Sequence, residues 1–239
     1  MPSAPIILVP GFWLGAWAWD DVVSALHASG HDDITAITPP GQESVETDRS
    51  AVTFADQVDA ICSAVEAAGA PVVLAVHSAS GFTGYAASDR LPDRIAAMVY
   101  VDTAPGKPPL DADFADAEKP LDWAQIEAEE NIEGLSAEQI ATFRERAVPV
   151  PGNVIRGRYE FGNDARRDIP STFVCTGYTA EQYQSYARAH PEWSFLAGIP
   201  ELRSTSWVDL PTSHWPMWSR PAELAAIIGR VATEHGTAD

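Results

Sequence analysis

The chain has 239 residues, of which 46% are hydrophobic, and a formal net charge of −19 at pH 7. This length and apolar content are sufficient for one large α/β domain. The acidity argues against nucleic acid and anionic membranes as partners, because both are bound by clustered Lys and Arg.

In chain order, the hydrophobic pattern alternates between strands and helices. Short apolar runs predict strands at residues 6–9, 34–38, 72–76, 95–101, 171–175 and 205–208. Helical periodicity predicts helices at residues 17–28, 54–68, 82–90, 122–130, 136–147, 180–188 and 221–231. The first run is too short for a signal-peptide core, and no run is as long as a membrane span. A cytoplasmic protein with free buried thiols at Cys62 and Cys175 is therefore expected.

This alternation predicts an α/β fold with a doubly wound, mostly parallel sheet. No strong strand appears between residues 105 and 170, where Pro and Gly interrupt two amphipathic helices. We expect residues 105–170 to be a helical cap inserted after the strand that ends near Val101. Residues 1–104 and 171–239 would then form the core.

Ser78 lies where a buried strand turns into a helix, in the stretch Val76-His77-Ser78-Ala79-Ser80. This is the context of a nucleophile elbow, which exposes a serine hydroxyl at the tip of a sharp turn. A serine hydroxyl is a poor nucleophile at neutral pH, so it requires a neighbouring base and donors for the developing oxyanion. Ala79 is expected to supply one donor through its backbone N–H.

His214 is the predicted base. It lies in the loop between the last strand and the last helix, and ligands bind at the carboxyl ends of the strands in such sheets. His77 adjoins Ser78, so its side chain should leave the turn in another direction, and we assign it a structural role. No pair of histidines has the spacing of metal ligands, so neither a metal nor another cofactor is expected.

A catalytic histidine requires a carboxylate that orients it, and there are two main candidates. Asp102 directly follows the strand that ends at Val101, at the edge of the sheet. Glu181 follows the strand that ends at Cys175, but it also opens a helix, where an acidic residue is ordinary. Asp102 has the better context, Glu181 is the alternative, and Asp209 after the last strand is a third candidate.

The second oxyanion donor is expected from the loop after the first strand. Pro10 has no N–H, and Gly11 lets the chain bend toward the site, which leaves the Phe12 N–H as the donor.

Tryptophans are concentrated near these residues. Trp13 follows the oxyanion segment, and Trp215 and Trp218 follow His214, while Trp123 would come from the cap. An aromatic pocket suits a small hydrophobic ester, thioester or lactone. Each ring could instead belong to the core, and for Trp218 the two roles are equally compatible with the sequence.

With these residues in place, the chain resembles the α/β-hydrolase superfamily, and within it the small esterase-like members with a short helical cap. Val-Pro-Gly-Phe-Trp at residues 9–13 is similar to the family's His-Gly oxyanion segment. Residues 76–80 match the centre of its Gly-x-Ser-x-Gly elbow, and residues 213–215 match its C-terminal histidine segment. Residues 39–44, Pro-Pro-Gly-Gln-Glu-Ser, look like its Pro-Gly-x-Gly-x-Ser loop.

The chain departs from the family pattern at several positions. Pro10 stands in place of the usual histidine, and Val76 and Ser80 in place of the elbow glycines. Those glycines allow the strand and helix to approach closely, so a locally wider packing is expected at Val76. The order serine, aspartate, histidine is that of the family, but Asp102 follows the strand before the one that carries the acid in many members.

Together these features predict a cofactor-independent serine hydrolase that forms an acyl-enzyme on Ser78. One alternative is a lyase of the same fold, of the cyanohydrin-cleaving type, that uses His214 as a base without an acyl-enzyme. The resemblance associates such sites with a lysine or threonine near the base; Thr212 is available, and no lysine is nearby in sequence. The other alternative is a non-catalytic binder of small molecules.

Overall fold

The computed structural model describes residues 3–236. The strands in this range are β1 (Ile6–Val9), β2 (Ile34–Ala36), β3 (Val72–His77), β4 (Ile95–Val101), β5 (Glu118–Lys119), β6 (Val150–Pro151), β7 (Ser171–Cys175) and β8 (Thr205–Asp209). The α-helices are α1 (Asp20–Ala28), α2 (Phe54–Ala67), α3 (Ser80–Arg90), α4 (Trp123–Glu129), α5 (Ala137–Arg146), α6 (Gly152–Ile155), α7 (Ala180–Ala189), α8 (Pro216–Ser219) and α9 (Pro221–Glu234). Short 3-10 turns cover Ala16–Trp19, Pro92–Arg94, Asp164–Asp168 and Ile199–Glu201. The predicted core also includes residues 1–2 and 237–239, which lie outside the described range.

Six strands form one sheet in the order β2-β1-β3-β4-β7-β8, and every pairing in it is parallel. This confirms the predicted α/β fold with a parallel sheet, and each predicted strand and helix is present within a few residues. The pattern does not predict β5, β6, α6 and α8, because two-residue strands and one-turn helices carry no periodicity. None of the helices between residues 3 and 236 is long and apolar enough to cross a membrane.

Helices cover the sheet on both faces. The side chains of β3 alternate between them: Val73 and Ala75 belong to the apolar cluster beneath α1 and α9, whereas Leu74 and Val76 belong to the cluster beneath α2 and α3. All six residues of β3 are buried, which explains why residues 72–76 form a continuous apolar run and not an alternating one.

Residues 105–170 connect β4 to β7 and contain α4, α5, α6 and the antiparallel pair β5–β6. This segment, called the insertion below, is fastened to the loop that carries His214. The backbone N–H of His214 donates to Asn131 O at 2.7 Å. Phe143 of α5 is fully buried, with its ring centroid 5.2 Å from that of Trp218. The insertion therefore contacts the carboxyl edge of the sheet.

Both cysteines are free and buried, as predicted. Burial raises the pKa of the Cys62 thiol and raises that of Cys175 to about 12. Both thiols therefore remain protonated at neutral pH and act as small apolar core residues.

Candidate active site

The carboxyl edge of the sheet gathers four segments that are distant in sequence. The Gly11 segment follows β1, Ser78 follows β3 and Asp102 follows β4, and these three strands are neighbours in the sheet. His214 lies in the loop between β8 and α8. Since the carboxyl ends of parallel strands meet at one edge, all four segments reach the same place.

Ser78 has a left-handed backbone conformation, with a φ of +54°, at the turn between β3 and α3. Its N–H donates to Val101 O at 3.3 Å, and Thr103 Oγ1 donates to its carbonyl oxygen at 2.6 Å. Ser80 Oγ accepts from the His77 N–H at 2.9 Å. The serine that replaces an elbow glycine therefore helps to close the turn by a hydrogen bond.

Val76, at the other elbow-glycine position, is accommodated by a glycine on the facing helix. A Cβ built on Gly84 of α3 would overlap Val76 Cγ1 and would lie 3.3 Å from Val76 Cβ. The sequence predicts a wider packing at Val76, but the strand and helix approach closely. The room for the valine comes from Gly84. The glycine that allows close packing is therefore on the helix, and not on the strand as in the family's elbow motif.

Two hydrogen bonds link three side chains of the site. His214 Nε2 lies 2.9 Å from Ser78 Oγ, and His214 Nδ1 lies 2.6 Å from Asp102 Oδ2. An ionised carboxylate only accepts, so Nδ1 carries the proton and the lone pair of Nε2 faces the serine hydroxyl. Burial opposes protonation of the imidazole, but the hydrogen bond and charge of Asp102 outweigh burial and raise the pKa of His214 above its ordinary 6.5. His214 is thus placed to accept the Ser78 proton.

Asp102 is held through both of its oxygens. Oδ2 faces His214, while Oδ1 accepts from the Thr176 N–H at 3.1 Å and from the Tyr183 hydroxyl at 3.3 Å. Burial disfavours the charged form, but the hydrogen bonds from His214 and Thr176 prevail and lower the pKa of Asp102 from its ordinary 3.8. The carboxylate is therefore ionised at neutral pH.

The other two candidate carboxylates are close to the start of α7, Glu181 within this helix and Asp209 at the end of β8. Glu181 is exposed in the first turn of this helix. Asp209 Oδ1 accepts from the Ala180 N–H at 2.7 Å. Both therefore complement the dipole of α7, and the carboxylate on His214 Nδ1 is that of Asp102.

His77 is buried beside His214, with the two ring centroids 4.9 Å apart. Burial and the neighbouring imidazole lower the pKa of His77 to about 3, so it is neutral. Its Nε2 lies 2.7 Å from the backbone oxygen of His214. Since a carbonyl only accepts, Nε2 carries the proton and tethers the main chain of His214.

The Gly11–Phe12 peptide lies against the elbow. A Cβ on Gly11 would be 2.7 Å from Ser78 Cβ, so this approach requires glycine. Buried Gln42 donates from Nε2 to Gly11 O at 3.2 Å and to Leu14 O at 2.6 Å. Because the C=O and N–H of a trans peptide point in opposite directions, the anchored Gly11 oxygen directs the Phe12 N–H away from Gln42.

Backbone strain is concentrated at this edge of the sheet. Among the non-glycine residues of the described range, those with positive φ are Trp13 (66°), Ser78 (54°) and Asp102 (44°). Such conformations cost roughly 1–3 kcal/mol each and cluster at active sites, where the surrounding structure maintains them. All three residues stand within a few positions of a strand end.

Ser78 and His214 face a cavity of about 610 Å³, a size typical of sites for small organic ligands. Its apolar wall includes Phe12, Trp13, Phe82, Leu110, Ile126 and Trp215. Its polar wall includes Lys119, Gln125, Glu129, Glu130 and Asn131. The cavity is therefore less apolar than the sequence predicts, because the insertion contributes charged side chains.

Two of the four predicted pocket tryptophans line this cavity, namely Trp13 and Trp215. Trp218 is 9% exposed and belongs to the core, and Trp123 packs edge-on against Phe143 with ring centroids 5.9 Å apart. Trp123 and Trp218 thus serve the packing between the insertion and the core, the alternative that the sequence left open.

Several residues of the site are not predicted by the sequence. Glu130 Oε2 lies 3.8 Å from His214 Nδ1, and Lys119 lines the same cavity. Both belong to the insertion, and no local sequence motif there indicates that a residue lies near His214. Gln42 has a weak signal, since it lies in the loop at residues 39–44 that looks like a family motif.

Comparison with known proteins agrees with this architecture. A sequence model of the alpha/beta hydrolase family matches residues 6–227. The chain is 23% identical over 258 residues to Methylesterase 7 of Arabidopsis thaliana, with 96% of each chain covered. It is 40% identical over 103 residues to Esterase PIR7B of Oryza sativa subsp. japonica, covering 41% of this chain and 38% of the relative. A solved structure of an extracellular alpha/beta-hydrolase from a Paenibacillus species is similar, with a TM-score of 0.73, 18% identity and coverage of 96% and 99%.

The family match spans all six strands of the sheet, from β1 to β8, and includes Ser78, Asp102 and His214. Methylesterase 7, which is matched over 96% of its length, is one of the chain's curated relatives. The chain therefore belongs to the alpha/beta hydrolase family.

Proposed function

We propose that this protein is a cofactor-independent serine hydrolase that cleaves carboxylic esters through an acyl-enzyme on Ser78. The observation that carries the proposal is the hydrogen-bonded series Ser78–His214–Asp102, with distances of 2.9 and 2.6 Å. A nucleophile, a base and an orienting carboxylate are the groups that acyl transfer to serine requires. The esterase relatives support the same class of reaction.

In the first half-reaction, His214 Nε2 takes the Ser78 proton while Oγ attacks the ester carbonyl carbon. Ionised Asp102 stabilises the resulting imidazolium. The backbone N–H groups of Phe12 and Ala79 hold the oxyanion of the tetrahedral intermediate. When this intermediate collapses, the bond to the alkoxy oxygen breaks and His214 returns the proton to the leaving alcohol.

The second half-reaction repeats these roles with water. His214 Nε2 takes a proton from a water molecule that attacks the acyl carbon, and the same N–H groups hold the new oxyanion. Collapse releases the carboxylic acid and returns the proton to Ser78 Oγ. Apart from the ester, both half-reactions need only water and groups of this chain.

The two oxyanion donors are supported by the packing of the loop after β1. Gly11 brings this loop into contact with Ser78, and Gln42 fixes the orientation of the Gly11–Phe12 peptide. Ala79 directly precedes α3, and N–H groups at the start of a helix have no partner within the helix and point out of its end.

For the substrate we propose a small ester with an apolar part that packs on Phe12, Trp13 and Trp215. Thioesters and lactones present the same acyl carbonyl and belong to this proposal. The polar wall formed by Lys119 and Glu130 suits a hydrogen-bonding group elsewhere on the substrate.

We propose in addition that the insertion, residues 105–170, is a cap over a core formed by the rest of the chain. The support is that Gln125 and Ile126 of α4 line the cavity opposite the strand ends, where a cap excludes water. The free thiols Cys62 and Cys175 support a cytoplasmic location.

A lyase of the same fold is the second candidate, and Lys119 is the observation that favours it. The sequence places no lysine near His214, but β5 brings Lys119 to the cavity wall. Thr212, the other residue considered for this chemistry, has its hydroxyl 2.7 Å from Ser219 Oγ. The esterase relatives argue against a non-catalytic binder.

The test is intact-mass analysis after treatment with a fluorophosphonate. Wild type should gain one adduct, and Ser78→Ala should gain none. Ser194→Ala is the matched control, because Ser194 lines the same cavity and should leave labelling unchanged.

Trapping of the acyl-enzyme separates the hydrolase from the lyase. With p-nitrophenyl acetate, a hydrolase shows a burst of p-nitrophenol and the mass increase of one acetyl group on Ser78. A folded wild type with neither adduct nor acetylation would contradict the proposal, and cyanohydrin cleavage would then be assayed.

A further inference from the structure

Three exposed aromatic side chains and one half-buried one, Tyr186, form a surface beside the cavity, called here the aromatic patch: Tyr178, Tyr186, Trp193 and Phe195. Ring centroids are 5.5 Å apart for Tyr178 and Tyr186, 6.1 Å for Tyr186 and Trp193, and 5.7 Å for Trp193 and Phe195. Tyr178, Trp193 and Phe195 are 54%, 38% and 44% exposed. These separations are those of aromatic pairs in contact, so the rings form a continuous surface.

Exposure of large apolar side chains is concentrated around this patch. Among residues 3–236, the other large apolar side chains of comparable exposure are Val45 and Leu110, and Leu110 lines the catalytic cavity. A contiguous exposed apolar surface is typical of a binding site, because covering it with a ligand removes apolar area from water.

The aromatic patch is continuous with the catalytic cavity. Tyr178 and Phe195 belong to both. Tyr178 also packs edge-on against Tyr183, at a centroid distance of 6.0 Å, and the Tyr183 hydroxyl donates to Asp102. Trp193 lies one ring farther out, stacked on Phe195 at an interplanar angle of 19°. The patch therefore starts at the mouth of the cavity and extends outward.

The charges near the patch disfavour an anionic ligand, and its rings suit a flat aryl group. His190 stacks on Trp193 with a centroid distance of 3.9 Å, and its Nδ1 lies 3.2 Å from exposed Glu192. With a net charge of −19, the chain repels an anionic lipid surface. A neutral aryl group can stack on the exposed rings without losing the hydration of a charge.

We propose that the aromatic patch binds a distal aryl group of the substrate, so that preferred substrates are esters with an extended aromatic arm. This inference rests on the proposed hydrolase function. The cavity holds the ester and the part next to it, and the patch holds the ring at the far end. Trp193 contacts the long arm alone, since it lies outside the cavity wall.

The test compares three acetate esters: phenyl, 4-biphenylyl and 4-cyclohexylphenyl, the last having a distal ring of similar length that is not aromatic. Wild type should show the highest kcat/KM for the biphenylyl ester. Trp193→Ala should lower the ratio of biphenylyl to phenyl kcat/KM by roughly 3- to 10-fold, mainly through KM, which corresponds to one lost aromatic contact. Trp193→Phe should restore most of the ratio. Val45→Ala, an exposed apolar residue outside the patch, should leave it unchanged.

A binding measurement separates failure of the patch from failure of the hydrolase. Calorimetry on Ser78→Ala with acetanilide and 4-acetamidobiphenyl needs no turnover, and the biphenyl amide should bind more tightly. If Trp193→Ala does not fold, Phe195→Ala replaces it in both assays. Equal discrimination between the phenyl and biphenyl ligands before and after both substitutions would overturn the proposal. Sedimentation with neutral lipid vesicles that depends on Trp193, with unchanged aryl discrimination, would assign the patch to a membrane and would overturn it too.

Discussion

The structure predicts that Val76 of β3 fits into the sheet only because Gly84 of the facing helix α3 has no side chain. A double-mutant cycle tests this prediction. In Gly84→Ala, the new methyl group overlaps Val76 Cγ1, and both residues lie in the buried layer between β3 and α3. Overpacking of this kind costs about 1–3 kcal/mol, while alanine gains up to about 1 kcal/mol of helix propensity over glycine. We expect a net loss of about 1 kcal/mol of unfolding free energy.

Val76→Ala removes two buried methyl groups and should cost about 2 kcal/mol, from lost burial and the cavity left behind. In the double variant, the alanine at position 84 fills part of that space, and its overlap with Val76 Cγ1 disappears while the two Cβ atoms stay in close contact. The double variant should therefore lie within about 1 kcal/mol of the stability of wild type. The two single losses sum to about 3 kcal/mol, so the double variant should be about 2 kcal/mol more stable than additivity predicts.

The assay is urea unfolding of wild type, the two single variants and the double variant, followed by tryptophan fluorescence and circular dichroism. The slope of unfolding free energy against urea should stay constant across the four proteins. Single-variant losses that add within about 0.5 kcal/mol in the double variant would refute the reasoning, because they would mean that the two positions do not share one volume.

Three predictions concern the chemistry. Asp102→Asn should lower kcat by about 10³- to 10⁴-fold in an ester assay, whereas Glu181→Gln should leave it near wild type; the reverse result would place the acid on α7. Gln42→Leu should lower kcat by about 10- to 100-fold with little change in KM, because a misaligned oxyanion donor affects the transition state most; a change confined to KM would contradict this role. The acid limb of kcat/KM should lie above pH 6.5, and Glu130→Gln should move it to lower pH.

The sign of the Glu130 prediction follows from the charges that face His214. Neutral His214 is the active base, so kcat/KM falls as the pH drops through its pKa. Asp102 and Glu130 are the carboxylates that raise this pKa, and loss of the Glu130 charge destabilises the imidazolium. His77 stays neutral, with a pKa of about 3, and does not titrate in this range. An unmoved limb in Glu130→Gln would show that solvent screens this carboxylate.

The three hydrogen-bonded side chains could be predicted from sequence because each lies past the carboxyl end of a strand. Ser78 and Asp102 directly follow β3 and β4, His214 lies in the loop after β8, and a parallel sheet brings such ends to one edge. The choice between Asp102 and Glu181 could not be settled in this way, because both follow a strand. It depends on which side chain reaches His214, and that distance is a property of tertiary packing.

The contributions of the insertion could not be predicted. Lys119 and Glu130 belong to short or irregular elements, and their positions in the cavity depend on how the insertion folds onto the sheet. The pocket tryptophans show the same limit. Trp123 and Trp218 are of a residue type that is common in ligand pockets, but both pack against Phe143 where the insertion meets the core.

The backbone support of Asp102 has a consequence for how this enzyme can diversify. Thr176, the residue after β7, donates its backbone N–H to the Asp102 carboxylate. Every residue except proline provides such a donor. The loop after β7 therefore does not need to contain the carboxylate that orients His214. Its next residues, Gly177 and Tyr178, line the cavity. Side chains in this loop can change over evolutionary time without disturbing the carboxylate, so substrate preference can drift there while the reaction is inherited intact.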